Sequence, residues 1–105
     1  MSLVVDIIQE ELERLERMLQ TKLSEFSQLP KGSIRKRKIG KQHFLYRVYR
    51  DGEKVHSDYL CSANDAEKYA TFIKEGEKKG ALKQQIKEIR DETLKLRRGL
   101  GKFGN

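Results

Sequence analysis

The sequence predicts an α+β fold: a three-stranded antiparallel meander flanked by two long amphipathic helices that pair as an antiparallel coiled coil. Three observations predict it. Apolar residues step by threes and fours through residues 3–28 and again through the last third of the chain. Between these stretches, residues 32–60 change to an alternation with a period of two, as strands require. Asp51-Gly52 interrupts that alternation with a hairpin signature.

The first helix is predicted over residues 3–28. Val5, Ile8, Leu12, Leu15, Leu19, Lys22, Phe26 and Leu29 form a heptad seam with one polar interruption at Lys22. Val4, Ile7 and Met18 widen the stripe. Pro30 disfavours helix at Leu29, and Gly32 lets the chain turn.

The meander follows over residues 32–60. A type I′ turn at Asp51-Gly52 places Tyr49 opposite Lys54, Val48 opposite Val55, and Arg47 opposite His56. Phe44, Tyr46, Val48, Val55 and Tyr59 then share one face, which is expected to pack on the last helix against Tyr69, Phe72 and Ile73. A three-residue loop, Gly40-Lys41-Gln42, sets Ile34 beside Val48 and puts Arg35 and Arg37 with Arg47 on the open face. A two-residue loop would turn both arginines to the core side, which is costly, so the first register is preferred.

The last helix is predicted over residues 63–98, capped by Ser62 or by Asn64 in a capping box with Glu67. Leu82, Ile86, Ile89, Thr93 and Leu96 form its second seam. Gly76 and Gly80 cost about 1 kcal/mol each relative to alanine. They suggest a bend there, with a break into two helices as the alternative. Residues 99–105 read as a frayed tail, and the whole as a single elongated domain of 105 residues.

The charge is unevenly spread over a net +7. Residues 1–30 carry six acids against three bases, and residues 31–60 carry nine bases against three acids. A basic, aromatic meander points to a polyanion. The open face predicted above holds Arg35, Arg37, Arg47, Tyr49, Lys54 and His56 as candidate nucleic-acid contacts. Arginine offers a planar fork for phosphate or guanine edges, and Tyr49 offers a stacking or phosphate-bonding group. The plainer alternative is an edge strand made basic to prevent aggregation.

The run from Gly32 to Ile73 resembles the arm-type DNA-binding domain of phage and transposon tyrosine integrases. The matching residues are Gly32-Ser33-Ile34 with Lys36-Arg37, the strand Tyr46-Arg47-Val48-Tyr49, the Asp51-Gly52 turn, and the helix opening Asp65-Ala66-Glu67. The resemblance implies a sheet laid in a major groove, with Arg35, Arg37, Arg47 and Tyr49 as contacts. Gln42-His43 departs from that pattern, and nothing resembles the integrase catalytic domain. The Leu29-Pro30-Lys31-Gly32-Ser33-Ile34 lead-in and the tyrosine-rich hairpin are also similar to small bacterial helix, meander, helix proteins of unknown function.

Catalytic chemistry has no motif to rest on. Two histidines and one cysteine form no zinc pattern, and Gly99-Leu100-Gly101-Lys102 lacks both the strand and the hydroxyl residue of a phosphate loop. Cys61 alone forms no internal disulfide and fits a reducing compartment. The expectation is a cytoplasmic, non-enzymatic protein without cofactor or metal that binds nucleic acid, in the first instance duplex DNA. No membrane association is expected, and a homodimer through the helical seams is the favoured assembly. The alternative is a coiled-coil interaction or scaffold protein with a solubilising basic sheet.

Overall fold

The computed structural model describes residues 2–103. Its elements are α1 (Leu3–Gln28), β1 (Ser33–Ile39), β2 (Gln42–Asp51), β3 (Lys54–Ser62) and α2 (Ala66–Phe103). The strands form one antiparallel sheet in the order β1-β2-β3. This is the α+β class the sequence predicts. Contacts group the chain into two compact units, residues 1–28 with 81–105, and residues 29–80. The two parts of α2 belong one to each.

The helix bounds follow local chemistry. α1 covers the predicted span and stops two residues before Pro30. α2 begins later than expected, at Ala66, because Asp65 is the residue that caps it. Asp65 Oδ1 accepts from the Lys68 N–H at 3.3 Å, and its carbonyl accepts from Tyr69 N at 2.9 Å. Ser62 is instead the last residue of β3. The helix then runs unbroken past Gly76 and Gly80. Gly76 faces β1: a Cβ there would lie 3.5 Å from that of Ile34, an ordinary contact that an alanine would also make. The predicted stop at residue 98 is also corrected. Leu94, Leu96, Arg97, Arg98 and Leu100 are good helix formers, and helix continues to Phe103. Residues 104–105 of the expected tail lie outside the described residues.

In the helical unit, Leu15 of α1 and Leu82, Ile86 and Ile89 of α2 are buried. One cleft is lined by Leu23 and Phe26 with Lys83 and Ile86, another by Glu16 and Leu19 with Thr93 and Arg97. Falling numbers on one helix meet rising numbers on the other, so the segments run antiparallel. That order is compatible with an antiparallel coiled coil. Lys83 Nζ lies 6.0 Å from the Phe26 ring centroid, and Thr93 satisfies its hydroxyl by donating to Ile89 O at 2.8 Å.

In the sheet unit, both hairpins close on two-residue loops. Ile39 pairs with Gln42 across Gly40-Lys41, and Asp51 pairs with Lys54 across Gly52-Glu53. Each glycine takes a positive φ, +65° at Gly40 and +62° at Gly52, and among the described residues no non-glycine does. A positive φ at the first central position and a negative one at the second is the signature of a II′ turn rather than the expected I′. The register therefore slips from the expected one. Tyr49 faces His56, Val48 faces Ser57, and Tyr46 faces Tyr59. A bulge between Leu45 and Tyr46 then shifts the pairing so that Leu45 faces Cys61.

Candidate nucleic-acid interface

The period of two divides the sheet into two faces, and α2 identifies which is covered. Ile34 meets Gly76, Lys36 Nζ lies 5.8 Å from the Tyr69 ring centroid, and Arg47 reaches Glu75. Leu45 and Cys61, paired across the bulge, are both buried. Burial pushes the Cys61 thiol above its ordinary range, so it stays a protonated packing group. The covered face is thus the one with Ile34, Leu45 and Arg47. This exchanges the two faces expected from sequence: Phe44, Tyr46, Val48, Val55 and Tyr59 are on the open side.

Arg47 is held on the covered side by a two-pronged ion pair. Its Nη1 donates to Glu75 Oε2 at 2.8 Å and its Nη2 to Oε1 at 3.0 Å, with each side chain 16% exposed. The guanidinium also lies 5.9 Å from the Phe72 ring centroid. A fork engaged in this way makes bidentate bonds to a carboxylate within the protein. Tyr49 stacks on His56, directly opposite, at 5.1 Å between ring centroids and 22° between planes. The Asp58 carboxylate, followed by partial burial, holds the Tyr49 hydroxyl above its ordinary pKa. Lys54 sits exposed at the hairpin end beside Asp51. Of the six residues expected to form one site, Arg47, Tyr49, Lys54 and His56 therefore share the face with α2.

Arg35 and Arg37 are on the open face. Arg35 lies opposite Tyr46, which lies opposite Tyr59, so the three make one rung across the sheet. Arg37 lies opposite Phe44 and lays its guanidinium 4.7 Å from the Tyr46 ring centroid. Tyr59 packs edge-on to Tyr46 at 5.7 Å and tilts against Phe44 at 6.3 Å. Tyr59 nevertheless remains 58% exposed. Arg50, opposite Val55, is the third arginine of this side.

The open face has one sign of charge. Among the described strand residues, every carboxylate falls on the other side: Asp51 and Asp58 share the parity of Arg47 and Tyr49. The described strand positions of the open side carry Arg35, Arg37 and Arg50 and no acid. Phe44, Tyr46, Tyr59 and Arg50 are the members that the sequence reading left out. The signal for them was Leu45, the one leucine of β2, which marks the face most suited to burial. Among the described residues no group of three or more histidine, cysteine or acidic side chains could hold a metal ion. No described helix is long and apolar enough to cross a membrane. No family model, curated protein or solved structure matches the chain.

Proposed function

We propose that this is a non-catalytic nucleic-acid-binding protein whose contact surface is the open face of the sheet. One observation carries the reading: three arginines and a contiguous aromatic cluster share a face on which no described strand residue is a carboxylate. Arginine forks suit phosphate oxygens, and an acid-free surface adds no repulsion. The likeness to integrase arm-type domains belongs to the same reading. Of the four contacts that likeness implies, Arg35 and Arg37 lie on this face, while Arg47 and Tyr49 lie on the covered one, Arg47 engaged with Glu75.

Affinity for a labelled oligonucleotide is expected to fall steeply between 50 and 200 mM salt, since each phosphate contact releases counterions. Arg35→Ala and Arg37→Ala are each expected to weaken binding by about 1 to 3 kcal/mol and to flatten the salt slope by about one. Fluorescence anisotropy measures both. No binding at low salt would end the proposal.

α1 favours a second reading, a coiled-coil interaction or scaffold role that includes a homodimer. Leu3 and Ile7, one helical turn apart, are 74% and 56% exposed, and Val4 is exposed beside them. Light scattering is expected to show a dimer that Leu3→Asp with Ile7→Asp converts to monomer. A monomer in the unaltered chain would count against self-association.

A further inference from the structure

Resting on the nucleic-acid reading, we infer that the open face takes an unpaired strand, with a base stacked on Tyr59. Duplex DNA buries the faces of its bases and offers a sheet only their edges and the phosphates. Edge readout needs free hydrogen-bonding forks at the centre of the contact. The centre of this face is aromatic instead. Tyr46 and Phe44 lie side by side on β2, and Tyr59 leans on both from β3. Arg37, the fork nearest that centre, lies over the Tyr46 ring.

Packing accounts for Tyr46 and Phe44, which are half-buried, but not for Tyr59. A tyrosine is costly to leave in water when a buried position would remove 150 Å² or more of surface. Here the cluster braces Tyr59 from two sides while leaving more than half of it exposed. A braced, exposed ring loses little conformational freedom when a base stacks on it. Every base has a π-face, so such a contact tolerates many sequences.

The arginines are placed to accompany that contact. Arg35 occupies the same rung as Tyr59, two strands away, about 10 Å across the sheet. A base on Tyr59 then leaves its backbone to run towards β1, where Arg35 and Arg37 are exposed. The absence of acids on that path lets the phosphates approach without repulsion.

The test compares one labelled thymidine oligonucleotide, alone and annealed to its complement, against the full chain at low salt. The single strand is expected to bind at least about tenfold tighter. Tyr59→Ala is expected to weaken single-strand binding roughly five- to 100-fold and leave duplex binding within about twofold, while Tyr59→Phe retains both. Exposure of Tyr59 keeps these variants folded, which circular dichroism checks. Equal or tighter duplex binding, or an unchanged Tyr59→Ala affinity, overturns the inference and leaves the nucleic-acid reading standing. Binding of neither form overturns both. A dimer that Tyr59→Ala dissociates would assign this face to a second copy and overturn the inference as well.

Discussion

Gly32→Ala is expected to destabilise the sheet unit by about 4 kcal/mol, a large share of the roughly 5–15 kcal/mol that holds a domain folded. Two costs combine. Gly32 has φ +97°, a conformation that L-residues rarely adopt and that costs on the order of 1–3 kcal/mol. An added Cβ would also stand 2.7 Å from the Val48 carbonyl oxygen and 3.0 Å from the Tyr49 Cβ. The oxygen is backbone in the central strand, so relief requires moving β2, as overpacked sites do at roughly 1–3 kcal/mol. The same turn is fixed from the other side: Lys79, almost fully buried on α2, donates to Gly32 O at 2.5 Å and to Pro30 O at 2.8 Å. Backbone movement at Gly32 strains those bonds too.

Gly40 and Gly52 provide the control. Both have positive φ, yet a Cβ at either meets nothing within 4 Å. Alanine there incurs the conformational cost alone, on the order of 1 kcal/mol. Urea unfolding should therefore rank Gly32→Ala well below the other two, with a midpoint drop roughly three times theirs or more. Similar losses at all three positions would show that the close approach at Gly32 contributes nothing.

The helices were legible in the sequence because their evidence is local. A seam of threes and fours and one proline locate α1 without reference to anything distant. Turn positions were legible for the same reason, since Gly40 and Gly52 are where positive φ is needed. Register was not. Asp51-Gly52 and Gly52-Glu53 are both plausible hairpin centres, and the choice moves every cross-strand partner. Face assignment was harder still, because the face richer in aromatics is not the one the helix covers. Counting aromatics favoured Phe44, Tyr46 and Tyr59. The observed choice depends on pairs far apart in sequence, Arg47 with Glu75 and Ile34 with Gly76. The bulge adds a parity change that brings Cys61 opposite Leu45, and a strict period of two does not produce it. For the candidate site the consequence was a mixture: Arg35 and Arg37 belong to the open face, while Arg47 and Tyr49 serve the covered one.

Leu45→Ala is expected to cost about 3 kcal/mol, within the roughly 2 to 5 kcal/mol found for leucine truncations in cores. Leu45 is 0% exposed and sits in the central strand between Lys36 on β1 and Cys61 on β3. α2 crosses that side of the sheet, so little of the surroundings is free to close the space. The comparison that gives this number meaning is Tyr59→Ala. If the aromatic face were the core, removing Tyr59 would cost about 3 to 5 kcal/mol, and removing Leu45 from an open face would cost far less. With the faces as observed the order inverts. Tyr59 is more than half exposed, and its loss removes two ring contacts worth about 0.5–1.5 kcal/mol each at most. Chemical denaturation of the two variants thus reads the face assignment itself, independently of any ligand. A larger loss for Tyr59→Ala than for Leu45→Ala would return the aromatics to the core. It would also turn Arg35 and Arg37 inward with them, and the acid-free surface on which binding depends would no longer exist.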